Sequence, residues 1–151
     1  MNGCKAVATP LITNERLRKE DGSLKANASC YRSLIGSLLY LTTTRPDIMY
    51  TTSLLSRFMH SPSQIHYGAA KSILRYLQGT INYGIWYRPT SKSKLVGYDS
   101  ELFGYTDSDW AGSKDDMKST SGYAFTIGFG IFSWSLRKQD TLAFHQLKQS
   151  T

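Results

Sequence analysis

The chain has 151 residues, the size of one ordinary domain and long enough to bury a hydrophobic core. Its 40% hydrophobic and 13% aromatic content lies well above that of intrinsically disordered chains, so we expect the chain to fold. The net charge of +7 is uneven, because residues 1–98 hold 13 Lys and Arg against 4 Asp and Glu, while residues 99–151 hold 5 against 7. A basic front favours phosphates and an acidic back favours cations, although two solvated surfaces would give the same count.

The cysteines and the first residues indicate the compartment. Cys4 and Cys30 have no Cys or His companion at zinc-binding spacing, so we expect free thiols. The N-terminus lacks the pattern of a secretory signal peptide, and no apolar run reaches transmembrane length. We therefore expect an intracellular protein, cytoplasmic or nuclear, without membrane contact.

Residues 1–29 mix polar residues, Pro and Gly without a period and predict a mobile tail. A first helix follows, because apolar residues recur at helical spacing from Tyr31 onward. Its predicted buried face comprises Tyr31, Leu34, Ile35, Leu38 and Leu41.

A second helix is predicted to start at Thr44-Arg45-Pro46-Asp47, where a capping hydroxyl, a proline and a carboxylate suit a first turn. It should end near His60, because Pro62 restricts the backbone before it, and Arg57 should lie outside. Its predicted buried stripe comprises Ile48, Thr51, Leu55, Phe58 and Met59.

A third helix should start at Ser61-Pro62-Ser63-Gln64, with Gln64 closing a capping box. Lys71 and Arg75 share one face, and Gly79 fits a left-handed C-terminal cap. The apolar line is formed by Ala69, Ile73 and Leu77. Residues 30–80 therefore predict three short-linked helices that bury one another.

Residues 81–151 change to aromatic and β-branched segments separated by turn residues, which predicts an antiparallel β meander. Residues 128–130, Gly-Phe-Gly, should make a short hairpin link. A near-repeat within residues 95–108 is either a pair of strands or a small duplication. The predicted alternating faces are Tyr123, Phe125 and Ile127 on one strand and Phe132, Trp134 and Leu136 on the next. The predicted fold class is α+β.

Asp107 and Asp109 point to the same face of a predicted strand, with Asp115 and Asp116 in the next turn. Close carboxylates repel unless a cation separates them, and hard oxygen ligands suit Mg²⁺. The alternative is strand-end solubility and turn chemistry.

Basic and aromatic residues interleave along the third helix and beyond it, a pattern that a groove for single-stranded nucleic acid would use. The cations are Lys71, Arg75, Arg88, Lys92 and Lys94, and the aromatics are Tyr76, Tyr83, Trp86 and Tyr87. The alternative, with aromatics in the core and cations in solvent, is favoured. His60, His66 and His145 lack ligand companions at metal spacing, so we expect surface or core-edge roles.

Three long runs carry a resemblance that covers nearly the whole chain. They are YRSLIGSLLYLTTTRPDIMYTTSLLSRFMHSPSQIHYGAAKSILRYLQGTINYGIWY, GYTDSDWAGSKDDMKSTSGYAFTIG and FSWSLRKQ, together with the start CKAVATPL. The chain resembles the stretch of copia-type retrotransposon polyproteins that runs from reverse transcriptase into ribonuclease H. The resemblance implies a helical thumb or connection-like segment at residues 30–80 and a truncated ribonuclease H-like β region at residues 81–151.

The resemblance also makes Asp107 the first metal-binding carboxylate of ribonuclease H, whereas Asp109 belongs to the motif without being a primary ligand. The second Glu of the family's Glu-Ala-Glu-Tyr segment would fall at Ser150, and Lys148 replaces the first. Two-metal hydrolysis needs several carboxylates, so we expect Asp107 to be vestigial and ribonuclease activity to be absent. No cofactor is expected, except Mg²⁺ if a residual site remains.

Three hypotheses follow. The first is a transposon-derived segment without catalysis that binds an RNA–DNA hybrid or single strands weakly through its basic front. The second is a ribonuclease H half completed by a partner chain. The third is an interaction module or effector adopted by its host, which pairs with a protein partner at an exposed sheet edge.

Overall fold

The computed structural model describes residues 3–11, 17–87, 101–109, 118–128 and 130–142. Three α-helices precede a three-stranded antiparallel sheet, which confirms the predicted α+β class. The chain divides into two compact units, Met1–Asp99 with the helices and Ser100–Thr151 with the strands. We call them the helical unit and the strand unit; the segment boundaries drawn from sequence at 29/30 and 80/81 stay predictions.

The first helix, α1, spans Ala28–Leu41. It begins where the side chain of Asn27 accepts a hydrogen bond from the backbone N–H of Cys30 at 3.0 Å. The predicted inner face is confirmed, with three residues buried and two packed against the core at its edge. The buried residues are Tyr31, Ile35 and Leu38, and the edge residues are Leu34 and Leu41.

The second helix begins with a 3₁₀ turn at Pro46–Ile48 and continues as α2, Met49–Ser56. The predicted cap is wrong, because the Thr44 hydroxyl donates back to the carbonyl of Leu41 at 3.2 Å. The helix also ends before the predicted His60, and Arg57 is half-buried and not outside. The predicted stripe is confirmed, since Ile48, Thr51, Leu55 and Phe58 are buried and Met59 packs beside them.

The third helix, α3, spans Gln64–Gly79 and has its cap two residues later than predicted. The Ser63 hydroxyl accepts the N–H of His66, and Nδ1 of His66 accepts the N–H of Ser63 at 3.0 Å. His66 therefore closes the capping box in place of Gln64. The predicted apolar line is confirmed by the burial of Ala69 and Ile73 and the packing of Leu77.

Gly79 does not have the predicted left-handed conformation, because it is the last residue of α3 and lacks a positive φ. A β-carbon added at Gly79 would lie 2.9 Å from the β-carbon of Ala6. Glycine at this position therefore permits close approach of the N-terminal segment.

Parts of the predicted mobile tail make specific contacts with the helices. Residues 21–26, which we call the strap, lie against the start of α3. Within the strap, the Ala26 N–H donates to the carbonyl of Pro62 at 2.9 Å, and the Leu24 carbonyl accepts the N–H of Gln64 at 2.8 Å. Val7, Leu11 and Leu17 pack against the core. Mobility of residues 1–29 stays a prediction.

The sheet has the order β1-β2-β3, with β1 at Leu102–Ser108, β2 at Lys118–Ile127 and β3 at Gly130–Leu142. Ile127 pairs with Gly130 and Gly128 has a φ of 56°, which confirms the predicted hairpin. The second copy of the near-repeat, residues 102–108, forms β1. The first copy, residues 95–100, lies outside the described residues.

One irregularity changes the predicted faces of β3. Phe125 pairs with Ser133, but Thr126 pairs with Ile131, so Phe132 is an extra residue in a β-bulge. The Phe132 ring lies 6.5 Å from the Phe125 ring. The prediction that Phe132 shares one face with Trp134 and Leu136 is therefore wrong.

Candidate functional site

Asp107 lies near the end of β1, where every residue is exposed. It pairs with Gly122, which in turn pairs with Leu136. A β-carbon on Gly122 would lie 3.0 Å from a methyl group of Leu136, so these residues share one face of the sheet. We call it the aspartate face.

Asp109 is engaged with the neighbouring strand. Its backbone N–H donates to the carbonyl of Thr120 at 3.0 Å, and its carboxylate accepts the N–H of Thr120. Among the described residues, no three His, Cys, Asp or Glu side chains come together as a metal site. Asp115 and Asp116 lie outside the described residues. In this part of the chain, Asp107 thus has no grouped ligands beside it.

The opposite side of the sheet is aromatic, and we call it the aromatic face. The ring of Phe125 covers Gly104, where an added β-carbon would lie 2.7 Å from a ring atom. The Tyr123 ring lies 5.4 Å from Phe125, and Phe132 lies beyond it. These three rings form one cluster across β2 and β3.

An open depression of about 550 Å³ lies beside this cluster. Most residues that border it are sequence neighbours of Asp107, Gly122 and Leu136. Because side chains alternate between the two faces of a sheet, these neighbours lie on the aromatic face. Its border comprises Thr106, Asp107, Ser108, Ser121, Gly122, Tyr123, Ser135 and Arg137. The depression combines hydroxyl groups, one phenol ring and one guanidinium.

A polar network in the helical unit was not foreseen from the sequence. Arg45, only 8% exposed, donates to both carboxylate oxygens of Asp47 at 2.9 and 2.7 Å, and to the carbonyl of Thr80 at 3.0 Å. The hydroxyl of Tyr76 donates to Asp47 at 2.8 Å. The hydrogen bonds from Arg45 lower the pKa of Asp47, against the opposing effect of burial. The network places a cation at the C-terminal end of α3, where the helix dipole favours it.

A Ser, a His and an Asp meet beside the strap, but their geometry is that of a helix cap. The Ser63 hydroxyl is buried and donates to Asp21, while Nδ1 of His66 is occupied by the Ser63 N–H. The bond from Ser63, with further bonds from Ser23, lowers the pKa of Asp21 to about 2. The His66 ring stacks on Phe58 at 3.8 Å. Hydroxyl activation for attack on a substrate is therefore not supported here.

The predicted surface or core-edge role is confirmed for His60 and wrong for His66. His66 is fully buried as a capping residue, and His60 is exposed. His145 lies outside the described residues.

The predicted basic and aromatic groove divides into two groups. Tyr76 is buried in the polar network, as the favoured alternative required, but Tyr83, Trp86 and Tyr87 are 65%, 80% and 62% exposed. Burial of these three aromatics was therefore the wrong expectation.

The cations of that groove are placed only in part. The ammonium of Lys71 lies 4.6 Å from the ring centroid of Tyr67, and Nε of Arg75 donates to the carbonyl of Lys5 at 2.8 Å. Arg88, Lys92 and Lys94 lie outside the described residues. Within the described ranges, no helix combines the length and the apolarity that a bilayer crossing requires.

Comparison with known proteins places this chain beside transposon polyproteins. It is 44% identical over 135 residues to the retrovirus-related Pol polyprotein from transposon RE1 of Arabidopsis thaliana, which covers 89% of this chain and 9% of that protein. It is 38% identical over 152 positions to the Pol polyprotein from transposon TNT 1-94 of Nicotiana tabacum, or 95% of this chain and 11% of that protein. The chain thus spans about a tenth of these polyproteins.

A shorter relative is matched over a much larger share of its own length. The secreted RxLR effector protein 161 of Plasmopara viticola is 41% identical over 114 residues, which are 75% of each chain. No protein-family model and no solved structure matches.

Proposed function

The chain belongs to the copia-type retrotransposon Pol polyproteins, and we propose that it binds single-stranded nucleic acid weakly through its helical unit and does not cleave RNA by itself. The observation that carries the binding proposal is the exposure of Tyr83, Trp86 and Tyr87 directly after α3. Exposed aromatic side chains in sequence offer stacking surfaces to unpaired bases.

Charge supports the same ligand. Residues 1–98 carry 13 Lys and Arg against 4 Asp and Glu, so the half that holds the exposed aromatics attracts phosphates. Lys71 is exposed on α3, and Arg75 retains donors besides the Nε that binds the Lys5 carbonyl. The match to RNA–DNA hybrids is weaker, because a paired duplex hides the base faces that aromatics contact.

Binding is tested by fluorescence anisotropy with a labelled oligonucleotide of roughly 12 nucleotides, titrated across salt concentrations. Replacing Lys71 and Arg75 by Gln should reduce the slope of log Kd against log salt by about 1.4, since each phosphate contact on a single strand contributes about 0.7. Trp86→Leu should weaken binding about five-fold or more. The matched control is Tyr40→Leu, an aromatic 81% exposed on α1, which should have no effect. An affinity that does not change with salt would contradict the proposal.

The absence of cleavage rests on Asp107. Two-metal hydrolysis needs two ions clamped by several carboxylates, and Asp109 already accepts the Thr120 N–H. We expect no cleavage of a labelled RNA–DNA hybrid with Mg²⁺ or Mn²⁺. Cleavage that disappears in Asp107→Asn would overturn this part of the proposal.

A second candidate function, an effector or interaction module, is favoured by the similarity to the secreted effector of Plasmopara viticola. Among the described residues, β1 pairs on one side only, with β2, and its side chains are exposed. Such an edge is suited to strand addition by a protein partner. Mass spectrometry of the extracellular fraction of the producing organism tests this role. Recovery of the chain there supports the effector role, and recovery only from intact cells contradicts the effector role.

A further inference from the structure

We propose that the aromatic face of the strand unit is a second nucleic-acid site, in which an unpaired nucleobase stacks on Tyr123 and its phosphate pairs with Arg137. The inference goes beyond the binding proposed for the helical unit, because its residues lie in a different compact unit. It rests on the composition of one sheet face and on the depression within it.

The stacking surface is already arranged on the sheet. Tyr123 and Phe132 are 43% and 50% exposed, and Phe125 lies between their rings over Gly104. Because Gly104 has no side chain, the Phe125 ring packs directly over the backbone of β1. Rings supported by strands lose little conformational freedom when a base stacks on them.

The depression beside Tyr123 supplies the polar contacts. Arg137 and Ser121 are register partners, and Thr106 pairs with Tyr123, so these side chains share the aromatic face. Hydroxyl groups and a guanidinium donate hydrogen bonds, which phosphate oxygens accept. The aromatic cluster and the anion-binding groups are therefore adjacent on β2 and β3.

Among the residues that border the depression, Arg137 supplies the positive charge that an anionic ligand would contact. Asp107 borders the depression, but its register partner Gly122 places its side chain on the aspartate face. Arg137 thus meets the depression from the aromatic face as a cation. Since residues 99–151 hold 7 Asp and Glu against 5 Lys and Arg, long-range attraction is weak. Affinity should come from stacking and one ion pair, and should depend little on salt.

The experiment uses the full 151-residue chain in about 0.5 M NaCl, where the screening length is a few ångströms and the cations of the helical unit contribute little. The probe is a labelled oligo(dA) of roughly 12 nucleotides, followed by fluorescence anisotropy. We expect Tyr123→Leu and Arg137→Gln each to weaken binding about five-fold or more, and Arg137→Lys to restore part of the affinity. The matched control is Tyr105→Leu, because Tyr105 is 60% exposed on the aspartate face. Circular dichroism confirms that each variant is folded.

Adenosine monophosphate is added as a competitor. If adenosine monophosphate displaces the oligonucleotide, a free nucleotide can occupy the site. If it does not, the site requires a strand. Either result supports the site. The inference is overturned if no binding remains in high salt, or if the Tyr123 and Tyr105 variants behave alike. If binding depends steeply on salt and Tyr123→Leu leaves it unchanged, the aromatic-face site is refuted and the proposal for the helical unit is not affected. The variant with Lys71 and Arg75 replaced by Gln tests the helical unit separately, because it should lose that salt-dependent binding.

Discussion

Removing the charge of Asp47 tests the polar network that closes the end of α3. Asp47→Asn takes one carboxylate oxygen from the Arg45 guanidinium and weakens the acceptor of the Tyr76 hydroxyl. Loss of one partner from a fully buried pair costs about 3–5 kcal/mol. Because the side chain of Asp47 is 33% exposed while that of Arg45 is 9% exposed, we expect a smaller loss of about 2 kcal/mol.

The assay is urea unfolding followed by circular dichroism of the helices, where about 2 kcal/mol lowers the midpoint by about 1 M. The folded-state pKa of Asp47 is lowered, so its stabilising effect is present above the unfolded pKa of about 3.9 and disappears as the pH falls through the folded value. The difference between wild type and Asp47→Asn should therefore shrink in acid. Asp107→Asn is the control, because Asp107 is exposed and should change stability by less than about 0.5 kcal/mol. An equal effect of both substitutions, or a pH-independent difference, would refute the reasoning.

Gly68→Ala should stabilise the helical unit by about 0.5–1 kcal/mol, since no atom lies within 4 Å of the added β-carbon. Gly79→Ala should instead displace residues 3–11, because its β-carbon would meet Ala6, and should make them more susceptible to protease. Thermal melts and limited proteolysis separate the two, and identical behaviour would be inconsistent with the contact at Ala6. Tyr31→Phe should cost about 1 kcal/mol in urea unfolding by removing a buried hydrogen bond to a carbonyl of α2, and no loss relative to the exposed control Tyr40→Phe would count against it. The free energy of unfolding should fall as the pH drops from about 4 towards 2, because the pKa of Asp21 is lowered to about 2 and protonation removes the stabilisation that its carboxylate provides. Asp21→Asn should flatten this pH dependence, and parallel pH curves for wild type and variant would contradict the assignment.

Helix faces were predictable because each buried face repeats a local period that the core then uses. Tyr31, Ile35 and Leu38 are buried as the spacing required. Helix ends were less predictable, since Ser61 and Ser63 both offer a cap and the sequence does not rank them. The strap favours Ser63, because Asp21 accepts a hydrogen bond from the Ser63 hydroxyl across a separation of 42 residues.

The candidate sites divide in the same way. The position of Asp107 on an exposed strand follows from its local pattern, whereas the hydrogen bond that occupies Asp109 depends on Thr120 of another strand. The bulge at Phe132 and the pairing of Arg137 with Ser121 are set by register, which no single segment specifies. Burial of Tyr76 and exposure of Trp86 likewise depend on which partners the fold provides.

The contacts at both ends of α3 constrain the order in which the helical unit forms. Asp21 binds Ser63 at one end, and the Lys5 carbonyl binds Arg75 at the other, 70 residues away in the sequence. Because such distant closures come after local helix formation, α1 can form early on the ribosome, whereas residues 3–11 and 17–26 can complete their packing only after α3 has been synthesised. Until then, α2 can cover only part of the apolar side of α1, and the remainder is open to chaperones.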